Sequence, residues 1–437
     1  MKNYLGTPQC SCGREHDIAI DEVVVGKGAL QRLPEFVAKY QAQKPFILAD
    51  RNTYKAAGAE VENILRGSGI PFSTYVFQSE ALEPDEKAVG SAFMHFDSGC
   101  DLIIGVGSGV INDIGKLLSN LSGRTYFIVC TAPSMDGYAS ATSSMSRDGL
   151  KVSLNSRCAD VIIGDTDILK QAPEHMLKAG LGDMLAKYVS IAEWRIGSLI
   201  TGEYYCERVA QLIRSALKKC VNNAEGLLKR EDAAVEAVFE GLVIGGVAMA
   251  YAGVSRPASG VEHYISHVLD MRGMEFGTPV DLHGTQCAVG TLIAVKLYEK
   301  LKAITPNREK ALRYVNGFDV DTWHEALRAF LGKAAESMIA LEAREKKYDK
   351  DLHKARLEVI LAHWQEILEI IDEELPSARE LEQLMDAIGM PKSLSQLGTE
   401  DTLLPTIFRA TKDIRDKYVL SRLLWDLGLL EEFTDKN

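Results

Sequence analysis

A change of rhythm part-way along the chain restricts its fold more than any other feature. From residue 17 to about residue 165, short β-rich runs alternate with helical stretches, and beyond about residue 166 the strand signals stop. Alternation builds an open layer of strands joined by crossover helices, whereas an unbroken succession of helices packs helix on helix. The β-rich runs fall at 18–25, 45–49, 72–77, 102–106, 126–130 and 161–164, and residues such as Leu30, Leu33, Phe36 and Val37 fit one face of a helix between them. Long helices are expected over 176–196, 204–228, 232–251 and 351–373. At 437 residues the chain exceeds what one core supports. Two domains are therefore expected: an α/β nucleotide-binding domain over 1–165 and an all-α domain over 166–437.

Charge excludes several partners. With 49 basic and 61 acidic residues the formal net charge is −12, which offers no long-range attraction to nucleic acid or to an anionic membrane. The start of the chain lacks the apolar core of a signal peptide, and no run of about 18 apolar residues stands out. A cytoplasmic location is the expectation. The eight cysteines are scattered, and disulfides are not expected. Cys10, Cys12 and His16 form the one cluster, with three candidate metal ligands where a structural zinc site normally needs four. The plainer reading is a lightly ordered segment ahead of the first strand.

An acidic protein that binds phosphates must meet their charge locally. Gly105, Gly107 and Gly109 stand between the fourth β-rich run and an apparent helix. Glycines let backbone approach a pyrophosphate, and the unpaired N–H groups of a helix start bind the anion without a basic side chain. The spacing G-x-G-x-G differs from the usual dinucleotide fingerprint, and the loop follows the fourth run rather than the first. At the end of the second run, Asp50 could accept from ribose hydroxyls or cap the next helix.

The helical half carries a second cluster. Asp183 opens a helical segment, with Lys187 one turn later; His263 and His267 are spaced i, i+4; and His283 follows within sixteen residues. One carboxylate and two imidazoles leave positions open on a divalent ion, the arrangement of a catalytic site.

Together, GVGSGVINDIGK (105–116), TAPSMDGYAS (131–140), GLGDMLAKY (180–188), SRPASGVEHYISH (255–267) and LHG (282–284) resemble the iron-type alcohol dehydrogenase and dehydroquinate synthase superfamily. Within it they are similar to the glycerol-1-phosphate dehydrogenases, especially the bacterial branch. The resemblance implies an N-terminal Rossmann-like α/β domain, a dehydroquinate synthase-like all-α C-terminal domain, and an active site in the cleft between them. It implies Asp183, His263 and His283 as metal ligands, Asp136, Asp183 and His267 against substrate, and catalytic roles for His267 and Asp136. Gly109, Val110, Ile111, Asn112 and Asp113 would surround the cofactor pyrophosphate, with Thr131, Ala132, Pro133, Ser134 and Ser140 along the rest of its path; Gly107 and Ser108 of the glycine loop and Asp50 complete the candidate cofactor residues.

Lys187 stands where iron-dependent relatives carry a fourth ligand, so zinc or nickel suits the site as readily as iron. Lys187 and Arg256 are the basic residues within these motifs and the candidates for a substrate phosphate. The implied reaction is reduction of dihydroxyacetone phosphate to sn-glycerol 1-phosphate by NAD(P)H, by a homodimer feeding phospholipid synthesis. A polyol dehydrogenase of the same superfamily is the alternative.

Overall fold

The computed structural model describes residues 10–79, 81–147 and 150–435. Its strands are β1 (Glu22–Gly26), β2 (Pro45–Asp50), β3 (Ser73–Phe77), β4 (Leu102–Gly107), β5 (Thr125–Cys130), β6 (Thr142–Arg147), β7 (Leu150–Asn155) and β8 (Val161–Asp165). Six of them pair in parallel in the order β1-β8-β5-β4-β2-β3, while β6 and β7 form an antiparallel hairpin. All six β-rich runs of the sequence are strands of this sheet, the first beginning at Glu22 rather than at residue 18. The hairpin has no counterpart among them. Its first strand reads TSSMSR, too polar to stand out as a β-rich run.

Every residue of β4 is buried, as befits an apolar strand covered on both faces. Alternate residues of four adjacent strands, Ile47 and Ala49, Leu102, Ile104 and Val106, Phe127 and Val129, Val161 and Ile163, face one apolar cluster with Leu33, Phe36, Val37, Val61 and Leu65 of the covering helices. On the chain's path from β2 the sheet first grows outward to β3, then returns to β4 on the other side of β2 and continues to β5 and β8. The order of strands thus reverses between β2 and β4, and open parallel sheets bind ligands at the carboxyl ends of strands at such a point. Asp50 and Gly107 end those two strands. This is why the glycine loop follows the fourth strand.

The chain divides into two compact units, Met1–Met184 with Gln211–Val254, and Leu185–Ala210 with Ser255–Asn437. The division departs from the expected boundary at 165 because the helix Asp232–Ala252 packs with the sheet. A Cβ at Gly164 would lie 2.2 Å from the Phe239 ring, and one at Gly246 would lie 2.7 Å from Cβ of Ala139. This 21-residue helix is long and apolar enough to cross a membrane, yet most of it is buried, as a core helix must be. Three helices expected as single are broken: Glu174–Leu185 from Lys187–Thr201, Glu207–Asn222 from Ala224–Leu228, and Lys350–Ala362 from Trp364–Glu374.

Outside the sheet unit all described elements are helical. There the helices Val261–Phe276 and His283–Lys302 approach closely because Gly290 has no side chain. A Cβ on it would fall 2.7 Å from the carbonyl oxygen of Glu262 and 3.0 Å from its Cα.

Candidate active site

In the sheet unit, the helix Gly109–Ser122 opens directly after β4, with Ser108 at its N-cap and no side-chain bond to the first-turn N–H groups. Those donors are therefore offered to an anion. The glycines before them have distinct tasks. A Cβ at Gly105 would lie 2.4 Å from the Tyr126 hydroxyl, and one at Gly107 would lie 2.5 Å from Cβ of Ile111. Both are required by packing. At Gly109 a Cβ would meet only Met135, at 3.5 Å, so packing does not demand glycine there.

The segment from Thr131 to Ser140 is tied to this helix and to the helix Glu174–Leu185. Asn112 Nδ2 donates to the Gly137 carbonyl at 3.1 Å, and the Thr131 N–H to that of Gly107 at 3.1 Å. Gly180 admits the Pro133 carbonyl, which a Cβ would approach to 1.8 Å. Tyr138 donates to the Ala132 carbonyl at 2.6 Å, and Ser134 and Thr131 are buried. The Ser140 hydroxyl lies 2.9 Å from that of Thr142. Asp136 donates its N–H to Oδ2 of Asp183 at 2.9 Å, and Asp183 is fully buried.

Lys116 was missed by sequence reasoning. Its buried ammonium contacts Asp113 at 3.0 Å and donates to the carbonyls of Gly137 at 3.2 Å and Thr142 at 2.5 Å, joining the glycine-loop helix to the motif segment. A lysine on the apolar side of a helix was the available signal. Asp50 accepts from the N–H groups of Asn52 and Thr53, so of its two sequence readings the structure displays the cap.

In the helical unit, His263 and His283 stand edge to face with ring centroids 4.9 Å apart, and His267 lies over His283 at 6.0 Å. Nδ1 of His263 is 2.8 Å from the Glu262 carboxylate, and Nδ1 of His283 is 3.0 Å from the Ser266 hydroxyl. Such partners fix ring orientation and leave Nε2 as the ligating nitrogen. Cys287, one turn beyond His283, brings its thiol 3.6 Å from Nε2 of His283, and the three donor atoms lie within 4.8 Å of one another. Burial pushes that thiol up, but the two imidazoles beside it outweigh this and hold it below its ordinary value. Two oriented imidazoles with an adjacent low thiol fit a divalent, moderately soft cation. The i, i+4 spacing of His283 and Cys287 could have revealed the cysteine.

Behind His263 lies a buried carboxylate pair. A Cβ at Gly260 would fall 2.6 Å from Oε2 of Glu193 and 2.7 Å from Oε2 of Glu262. Burial, then the charge of Glu262, push Glu193 up to about 8. It accepts from the N–H groups of Val261 and Leu420, both at 2.9 Å or less, which pins the start of the His263 helix.

The two basic candidates are also fixed in place. Lys187 is fully buried and donates to the Ala258 carbonyl at 3.1 Å. Arg256 gives Nε to Glu203 at 2.6 Å and pairs with it again through Nη2, while its buried Nη1 meets no hydrogen-bond partner among the described residues. Lys417, 158 residues beyond Ser259, donates to its carbonyl at 2.9 Å. Burial, then Arg256, push this ammonium down to about 7. No sequence signal marks it, because only the fold brings it to the motif.

Residues 24–173 match the family described as iron-containing alcohol dehydrogenase. The chain is 33% identical over 305 residues to the glycerol-1-phosphate dehydrogenase (NAD(P)+) of Bacillus velezensis, covering 68% of this chain and 77% of that protein. Its namesake from Bacillus licheniformis is 27% identical over 434 residues, covering 98% and 94%. Among solved structures, glycerol dehydrogenase from Schizosaccharomyces pombe matches with a TM-score of 0.62 at 18% identity, over 97% of this chain and 92% of that one. A likeness at that identity shows the fold. Sequence identity and coverage show more: the chain belongs to the glycerol-1-phosphate dehydrogenase family of NAD(P)-dependent oxidoreductases.

Proposed function

We propose that the chain reduces dihydroxyacetone phosphate to sn-glycerol 1-phosphate, reversibly, with NADH or NADPH and one divalent metal ion, zinc or nickel more readily than iron. Family membership supports the reaction, and the oriented pair His263 and His283 is the structural observation that carries the metal dependence. When bound, the nicotinamide supplies hydride and the ion supplies Lewis-acid polarisation of the ketone.

The chain's own residues do the rest. Asp183, His263 and His283 are the ligands in this reading, with Glu262 and Ser266 holding the orientation of the two rings. His267 orients substrate and relays the proton to the product alkoxide, with Asp136 against substrate. Residues Gly107 to Asp113 surround the pyrophosphate, which the first-turn N–H groups of Gly109, Val110 and Ile111 receive, and Asp50, Thr131, Ala132, Pro133, Ser134 and Ser140 line the rest of the cofactor's path. Lys187 and Arg256 bind the substrate phosphate, the latter through Nη1 while Glu203 holds the guanidinium still. A cytoplasmic homodimer completes the reading.

The test is NAD(P)H oxidation with dihydroxyacetone phosphate before chelation, after it, and after metal add-back, with chiral analysis of the product. Loss and recovery of activity, with sn-glycerol 1-phosphate formed, is the expected result. Equal turnover of glycerol and glycerol 1-phosphate in the reverse direction would instead establish a polyol dehydrogenase.

A further inference from the structure

The N-terminal cluster is ordered, contrary to the plainer reading of its sequence, and nothing in the proposed reaction uses it. Cys10 and Cys12 sit in a tight turn, closed by a bond from the Gly13 N–H to the Cys10 carbonyl at 3.1 Å, with Gly13 at a φ of +79° that favours glycine. That turn sets the two sulfurs toward His16. The donor atoms of Cys10, Cys12 and His16 all lie within 4.8 Å of one another, and Cys12 Sγ is 3.4 Å from Nε2 of His16. Sulfurs and an imidazole bound to one tetrahedral ion stand about 3.5 to 4 Å apart, from bond lengths of about 2.3 and 2.0 Å.

The hydrogen position on a neutral His16 ring follows from its other side. Nδ1 lies 3.1 Å from the Tyr251 carbonyl, which can only accept, so Nδ1 carries the hydrogen and Nε2 presents its lone pair toward the sulfurs. A histidine ligand of a metal ordinarily gives its second nitrogen to a carbonyl or carboxylate in this way. The ring is buried, and it rests 5.3 Å from that of Tyr251. Arg14 repeats the attachment with a bond from Nη1 to the Ala252 carbonyl at 3.2 Å. Both acceptors are at the C-terminus of the helix Asp232–Ala252, where carbonyls lack helical partners and positive charge is favoured.

We propose that Cys10, Cys12 and His16 bind a zinc-class divalent ion, separate from the ion of the reaction, that sets residues 10–16 in the conformation in which His16 and Arg14 bond the end of the helix Asp232–Ala252. Two thiols and one imidazole select a thiophilic ion, and binding releases the thiol protons. The three ligands lie within seven residues, so the ion closes a short loop whose His16 and Arg14 bond the helix end, and the fourth tetrahedral position is left to a further donor.

The experiment replaces bound metal by cobalt(II) in the full-length protein and measures metal content together with the thiolate-to-cobalt charge-transfer absorption. Wild type should hold about two ions per chain and show that absorption, Cys12→Ser and His16→Gln should each hold about one, and the absorption should vanish in Cys12→Ser. His283→Ala should lose the other ion and keep the absorption if the sulfurs are those of Cys10 and Cys12, which separates this site from the ion of the reaction. Should Cys12→Ser keep both ions, or wild type lack the charge-transfer band, the proposal is overturned; Cys287→Ala should keep the band, and its loss in that variant would assign the sulfur to the thiol beside His283 and overturn the proposal even if Cys12→Ser fails to fold.

Discussion

Gly290 lies so close against Glu262 that a Cβ would come within 2.7 Å of the Glu262 carbonyl oxygen. The atom in the way is backbone, so the two helices must separate for any side chain to fit. Gly290→Ala should cost about 1 to 3 kcal/mol of stability and shift the ring of His263 relative to that of His283. Thermal unfolding and metal titration check this together. A variant with wild-type stability and metal affinity would show that close helix approach does not set the histidine pair.

The glycine loop separates packing from ligand binding. Gly107→Ala meets Ile111 and should lower stability, whereas Gly109→Ala meets only Met135 at ordinary distance and should leave the fold intact. If the first-turn N–H groups receive the pyrophosphate, Gly109→Ala weakens NADH binding by roughly tenfold, the worth of about one charge-assisted bond. Fluorescence titration of NADH against the folded variant reads this, and unchanged affinity removes the loop from the cofactor site.

A phosphate site makes substrate charge visible in kinetics. Lys187 and Arg256 should each supply about 1.5 to 3 kcal/mol, or roughly 10- to 10²-fold, in favour of dihydroxyacetone phosphate over dihydroxyacetone. Lys187→Met should therefore reduce the ratio of the two kcat/KM values at fixed salt while barely changing turnover of the neutral ketone. Equal efficiency with both ketones in the wild type would exclude a phosphate site.

Glu193 links stability to pH. Its carboxyl, pushed up to about 8 in the fold by burial and then by Glu262, returns on unfolding to an ordinary value near 4.5. Between those values the folded chain keeps a proton that the unfolded chain has released. Stability from this group is full below about 4.5 and is lost as pH rises toward and through about 8. Glu193→Gln imitates the protonated carboxyl and should flatten that decline. Urea midpoints measured across the window should converge for variant and wild type at its acid end and part at its basic end; parallel curves would contradict this.

What the sequence made legible were features carried by neighbouring residues. The six sheet strands are runs of apolar residues, and the glycine loop and the histidine spacing lie within single motifs. What it concealed depends on distant partners or on polarity. In the hairpin, β6 reads TSSMSR and is too polar to stand out, although its partner β7, LKVSLN, carries an apolar alternation that marks a strand, and Glu203 finds Arg256 from 53 residues away. Gly105 and Gly107 look like ligand-binding glycines in sequence, but only the positions of Tyr126 and Ile111 reveal that packing already requires them. Asp50 fitted two tasks because a strand end at the crevice is also a helix start.

The helix Asp232–Ala252 gives the sheet unit a discontinuous sequence. A ribosome that has released residues 1–184 has delivered every strand but not the helix whose Phe239 fills the space above Gly164 and packs against Tyr138 at 5.7 Å. Until residue 252 emerges, that side of the sheet waits uncovered, exposed to solvent and to other nascent chains. The sheet unit is therefore not a module that can be excised at the end of its last strand; a fragment ending there carries an open apolar face, and the shortest natural cut lies beyond Val254.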